Sequence, residues 1–191
     1  MFPVDAFKNT LGKFITLLNP HSIRFHLTGG FTSMVYGEPR MTQDIDLVID
    51  NQAIKPVLEP FLARLETSDF LYHPSQVRAA IHEKSMFQLL DKIETLKLDI
   101  YPRELIQGEL SRSVWVEVFQ GINLPVASKI DAAASKLIWI SRGSHKNRKD
   151  LRIIFRFGSD EEKRAITKLA HEIGLETLLK QVLEEPDELV G

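Results

Sequence analysis

The segment Thr28-Gly29-Gly30, followed after thirteen residues by Asp44-Ile45-Asp46-Leu47, constrains this chain more than any other feature. Side chains alternate along a strand, so the two acids share one face while Ile45 and Leu47 turn to the other. Carboxylates held that close repel unless a cation lies between them, and a hard divalent ion with oxygen ligands meets that need. Upstream, a Gly-Gly pair opening a helix lets backbone amides approach an anion at the helix N-terminus. Phosphate at one end and Mg²⁺ at the other are the equipment of phosphoryl or nucleotidyl transfer. Either half alone is ordinary: an Asp-x-Asp at a strand edge is most often solvated surface, and a Gly-Gly most often a turn. Their succession as strand, Gly-Gly, helix and acidic strand is what carries the reading.

Composition narrows the alternatives. A chain of 191 residues with 43% hydrophobic and 26% charged residues suits one globular domain, or one domain with a helical appendage. The absence of cysteine excludes disulfides, thiolate metal sites and a cysteine nucleophile, and suits a reducing cytoplasm. With no signal-type N-terminus and no run near the roughly 18 apolar residues of a membrane span, a soluble, cytoplasmic protein without a membrane partner is expected. A net charge of −2 gives no global pull toward nucleic acid. Locally, Arg142 to Arg156 holds six basic residues against the single acid Asp150. Such a run is ordinarily a solvated helix face, but here a triphosphate also needs holding.

Periodicity outlines the elements. Helical spacing covers Asp5 to Leu18, and alternation marks a strand at Ile23 to Leu27. A short helix over Phe31 to Tyr36 leads through a loop to a strand at Asp44 to Ile49. Asn51 is the expected cap of a helix running to Glu66, kinked at Pro60. Ser75 to Glu83 reads as a short helix. Ser85 to Leu90 and Leu96 to Tyr101 form a hairpin, Arg103 to Leu110 a helix, and Val114 to Phe119 a strand. After Gly121 the pattern turns helical, with capping boxes at Ser128 and Ser159. The expected organisation is an α/β domain over residues 1–122 and a helical segment over 123–191. Trp115 and Trp139 are expected to pack rather than stack on bases. The six histidines lack the helical pairing with Glu of zinc hydrolases, and neither a Gly-x-Ser-x-Gly elbow nor a P-loop is present.

A third carboxylate on a neighbouring strand would complete a two-metal site, and Asp99 within the apolar run Leu96 to Tyr101 is the candidate. The bland alternatives for Asp99 are a salt bridge to Lys97 or Arg103 and a place at a strand end.

Gly29-Gly30, Asp44-x-Asp46 and Asp99 together resemble the nucleotidyltransferase fold of the DNA polymerase beta superfamily. The run from Gly29 through Arg40-Met41-Thr42 to Asp46 is similar to its minimal nucleotidyltransferase and AbiEii toxin-like branch. So is the helical element Ser128 to Lys136, continued in Arg148-Lys149-Asp150-Leu151. The resemblance spans about Ile23 to Phe155. It implies an α/β (α+β) fold, with a mixed β-sheet flanked by helices and a C-terminal helical segment that completes a nucleotide cleft.

Roles follow from the same resemblance. Gly29, Gly30 and Thr32 would contact nucleotide phosphates; Asp44, Asp46 and Asp99 would hold Mg²⁺, with two ions allowed. Lys136 would reach the triphosphate, against the alternative of a snorkelling helix lysine. Arg40 would position Asp44 or phosphate, against a surface position. Arg152 stands where relatives often carry a second acid. The implied enzyme moves a nucleoside monophosphate from an NTP, ATP foremost, to an acceptor hydroxyl on a protein, an RNA end or a small molecule. A toxin–antitoxin or phage-defence setting with a cognate toxin or antitoxin partner goes with it. The rival reading is a catalytically silent module of the same fold, or an antitoxin, that covers a protein partner.

Overall fold

Helix α1, Val4–Leu18, buries Phe7, Leu11, Phe14 and Leu18 along one stripe, as their three- and four-residue spacing requires. The structure is a computed structural model describing residues 4–38 and 44–186. The described residues divide into two units: residues 4–31 with 44–127, and residues 32–38 with 128–186.

The first unit is built on a seven-stranded mixed sheet of order β3-β4-β5-β2-β1-β7-β6. The strands are β1 (Phe25–Leu27), β2 (Asp44–Ile49), β3 (Phe70–Leu71), β4 (Phe87–Asp91), β5 (Lys97–Tyr101), β6 (Val114–Phe119) and β7 (Ile122–Val126). At the centre, β2 runs antiparallel to β1 and parallel to β5. Ile45, Leu47, Ile49, Leu98 and Ile100 are wholly buried there. Helix α2 (Gly30–Tyr36) follows β1, and α3 (Asn51–Ile54), α4 (Leu58–Glu66) and α5 (Pro74–Glu83) lie between β2 and β4.

Four local expectations need correcting. The helix after β2 is capped one residue early: Asp50 Oδ1 accepts from the amides of Gln52 and Ala53, while the Asn51 side chain donates to Ile81 O. Its break falls at Pro56, in a 3₁₀ turn over Lys55–Val57. Pro60 instead sits in the first turn of α4, where its missing N–H has no intrahelical partner to lose. The helix expected over Arg103 to Leu110 is replaced by a loop and a 3₁₀ turn at Glu109–Arg112. Glu104 takes the amides of Gly108 and Leu110, Glu109 takes that of Leu105, and Gly108 has φ +78°. Carboxylates thus claim the donors a helix would have used. Finally, residues 122–126 form β7, paired parallel to β1 and antiparallel to β6.

The second unit gathers α6 (Lys129–Ser141), α7 (Lys146–Arg156), α8 (Asp160–Glu172) and α9 (Glu176–Glu184). Its core comprises Leu137, Ile140, Leu151, Ile154, Ile166, Leu179 and Val182. Ser128 caps α6, and Ser159 with Glu162 forms a complete capping box on α8. Gly174, at φ +72°, separates α8 from α9.

Asp91 fastens the β4–β5 hairpin to α1. Its fully buried carboxylate accepts from Thr10 Oγ1 (2.9 Å), Lys13 Nζ (2.9 and 3.0 Å) and the amides of Ile93 and Glu94. Burial alone would push this carboxyl up, but those donors together hold it below its ordinary value. Its stabilising contribution is therefore present above the unfolded carboxyl's pKa and is lost as pH falls through the lower folded value. Asp91→Asn is expected to cost about 1.5–3 kcal/mol in urea unfolding at neutral pH. The mutant's loss should shrink toward acid pH, where the wild type surrenders the same interaction.

Candidate active site

Parallel pairing of β2 with β5 sets Asp46 directly opposite Asp99 and Asp44 opposite Lys97. Paired residues on neighbouring strands share a face about 4.8 Å apart, and the alternation adds Tyr101 to that face. Three carboxylates from two strands thus come together in the first unit. Asp99 is held further by Gln88, its partner on β4, whose Nε2 donates to Oδ1 at 3.0 Å.

A cation does lie between two of these acids, and it is a side chain. Lys97 Nζ stands 3.5 Å from Asp44 Oδ2 and 3.3 Å from Asp99 Oδ2. Burial alone would lower its pKa, yet the two carboxylates raise it above the ordinary lysine value. The salt bridge weighed for Asp99 is real, and it coexists with the acidic cluster. Tyr101 went unnoticed in the sequence. Burial first, then the Asp46 and Asp99 carboxylates, drive its hydroxyl's pKa far up, so it stays a neutral donor beside them.

The Gly-Gly turn abuts the same cluster. Gly29 has φ +58°, and a Cβ built on it would lie 1.9 Å from Asp46 Oδ2. Thr28 N donates to Asp46 O at 3.0 Å, locking the turn to β2, while Gly30 N faces Asp46 Oδ2 at 3.5 Å. Glycine at position 29 is therefore demanded twice, by backbone conformation and by the carboxylate in the space above it.

The remaining expected residues are Thr32, Arg40 and Lys136. Thr32 is buried in α2. Arg40 lies outside the described residues. Lys136, in the second unit, is 3% exposed, with Nζ 3.0 Å from Asp150 Oδ2 and 3.5 Å from Asn147 Oδ1. Ser33 Oγ donates to the same Asp150 oxygen at 2.8 Å. Lys136 is thus no snorkelling lysine, and its ammonium is engaged by a buried acid. Three of the six residues of the basic run are also paired: Arg148 and Arg152 meet Glu185, and Lys149 meets Glu38 at 3.4 Å. Trp115, expected to pack, is 71% exposed on the edge strand β6.

The donor set can be weighed against a divalent metal. Its chemistry fits a hard cation: oxygen donors only, with one positive group already resting between two of them. Among the described residues, no three His, Asp or Glu side chains form a ready-made metal cage.

The family model described as nucleotidyl transferase AbiEii toxin, type IV TA system, matches residues 16–188. The chain belongs to the AbiEii nucleotidyl transferase family. Among solved structures, the antibiotic-resistance factor ANT(2'')-Ia aligns over 95% of this chain and 100% of its own, with TM-score 0.56 and 13% identity. An antigenic nucleotidyltransferase-like protein from Paracoccidioides brasiliensis gives TM-score 0.49 at 16% identity, over 93% of each chain. The lincosamide antibiotic adenylyltransferase LnuA, lincomycin-bound, gives 0.47 at 16%, over 78% of this chain and 96% of its own. None of the curated proteins matches the sequence. The fold is the expected nucleotidyltransferase type, and this AbiEii member is a nucleotidyltransferase. No described helix is long and apolar enough to cross a membrane.

Three variants test this geometry. Gly29→Ala should cost at least about 1–2 kcal/mol from the left-handed backbone alone. It should also move the Asp46 side chain, which a crystal structure of the variant would show. Lys136→Ala strands a buried acid and should cost about 3–5 kcal/mol in denaturant unfolding. The double variant Lys136→Met, Asp150→Asn should recover a large part of that loss, because it removes both charges together.

Proposed function

We propose that this nucleotidyltransferase transfers a nucleoside monophosphate from an NTP, ATP foremost, to an acceptor hydroxyl, using Mg²⁺ held by Asp44, Asp46 and Asp99. One observation carries the reading: Asp46 and Asp99 are register partners on β2 and β5, with Asp44 on the same face and the Gly29-Gly30 turn against Asp46. A divalent ion bound there would neutralise charge on the α-phosphate and the leaving pyrophosphate.

The chain's own groups supply the rest. Asp99, oriented by Gln88, would accept the proton of an attacking hydroxyl along this face. Gly29 leaves room for the Asp46 carboxylate above it, and with Gly30 it opens α2 through backbone that a phosphate oxygen could approach. Tyr101, neutral beside the acids, can donate to a phosphate or ribose oxygen without adding negative charge. Attack by the hydroxyl oxygen forms the new P–O bond and breaks the bond to pyrophosphate, which leaves with the electron pair. Positioning supplies much of the acceleration.

The acceptor is a hydroxyl of a protein, an RNA end or a small molecule. The toxin designation of the family supports a toxin–antitoxin setting with a cognate antitoxin. Incubating the protein with each α-labelled NTP and a cell lysate, with Mg²⁺ or with EDTA, identifies both substrates by where label appears. Label is expected from ATP with Mg²⁺ and not with EDTA. Asp46→Asn should lower transfer by at least about a hundredfold, the few kcal/mol of charge stabilisation it removes. Its thermal stability should be unchanged or raised, because carboxylate repulsion is relieved. Undiminished transfer by that variant would overturn the assignment.

A further inference from the structure

Lys97 lies where a metal ion bridging Asp44 and Asp99 would have to draw both carboxylates to itself. It reaches Asp44 across the strand pair and Asp99 along its own strand, at 3.5 and 3.3 Å. Asp44 has its side chain 41% exposed, and Lys97 is about as open at 36%. Asp99 is far more enclosed, at 11%, and is pinned on its other oxygen by Gln88. The ammonium therefore bridges one enclosed and one open acid. A divalent ion and an ammonium within about 4 Å of each other repel, and the repulsion grows as water is excluded. Entry of the metal thus requires Lys97 to release at least one carboxylate. Its flexible four-carbon stem and part-exposed position make that release a side-chain rotation, with no backbone rearrangement.

We propose that Lys97 is a tethered counter-ion: it holds Asp44 and Asp99 together in the metal-free protein and sets metal affinity by competing for the same oxygens. This inference rests on the metal assignment made under Proposed function. It adds a positioning residue that stabilises the empty site and weakens its hold on the ion. In the absence of Lys97 the site carries one positive charge fewer beside Asp44 and Asp99. Metal should then bind more tightly, and the metal-free protein should be less stable.

The test is titration of Mn²⁺ into the nucleotide-free protein, following free ion by electron paramagnetic resonance, with thermal unfolding in EDTA and in excess Mg²⁺ alongside. Lys97→Met should bind Mn²⁺ several-fold to about tenfold more tightly, the range expected when partly exposed ion pairs no longer compete. Lys97→Arg, which keeps the charge, should stay near wild type. Lys97→Met should melt below wild type in EDTA, and Mg²⁺ should close the gap. Lys97→Gln serves equally should the methionine variant fail to fold. Unchanged or weaker Mn²⁺ binding by a folded charge-removed variant overturns the proposal. If wild type binds Mn²⁺, Asp46→Asn loses it and Lys97→Met does not alter it, only the counter-ion role falls. If wild type takes up no Mn²⁺ at all, the metal assignment falls with it.

Discussion

The parallel register between β2 and β5 is the constraint on which the site depends. A slip of one residue would turn Asp44 and Asp46 away from Asp99 and bury them where Ile45 and Leu47 now sit. The apolar residues prevent that slip. Ile45, Leu47, Leu98 and Ile100 are wholly buried on the opposite face, so hydrophobic burial fixes the register and the acids are carried along with it. Mutual repulsion among the acids opposes the arrangement, and the core packing outweighs it. Local neutralisation by Lys97 and the hydrogen bond from Gln88 reduce the opposition further.

The sheet around this pair is fastened by polar contacts that no apolar pattern specifies. Asp91 ties the β4–β5 hairpin to α1 through Thr10 and Lys13, and Arg24 meets Asp50 at 2.7 Å beside the start of α3. His26, buried on β1, pairs its Nδ1 with Ser113 Oγ at 2.8 Å. A buried polar group without a partner would cost as much as several apolar contacts provide. The buried contacts of Asp91 and His26 therefore bias the chain toward one arrangement of its loops around the sheet.

Much of this was legible in the sequence, for physical reasons that also mark where legibility ends. Residues 44–49 and 97–101 declared themselves as strands because acids interrupt apolar runs with a period of two. The helices of the second unit declared themselves through capping serines at 128 and 159. What failed was local competition. The loop over residues 103–110 has helical composition, but Glu104 and Glu109 take amides that a helix needs, and no periodicity shows that. Strand β7 was hidden by Pro125 and by an exposed beginning at Ile122. At the site, the meeting of Asp46 with Asp99 could be anticipated from strand patterns. Gln88 and Tyr101 could not, because their importance arises from cross-strand register and not from their neighbours in the chain.

Lys97 and Lys136 show how environment assigns different parts to one functional group. Each ammonium lies within about 3–3.5 Å of a carboxylate, and helix or strand pattern alone would rank them alike. Lys136 is enclosed with Asp150 and Asn147, so withdrawing it would leave a charge in a medium that cannot solvate it. That pair behaves as a fixed part of the helical core, together with Ser33. Lys97 is more than a third exposed and shares itself between two acids. Water can replace its contact with the open Asp44 at small cost, since exposed ion pairs contribute only about 0–1 kcal/mol. A charge that must yield to a ligand belongs in the second setting, and a charge that must hold helices in register belongs in the first.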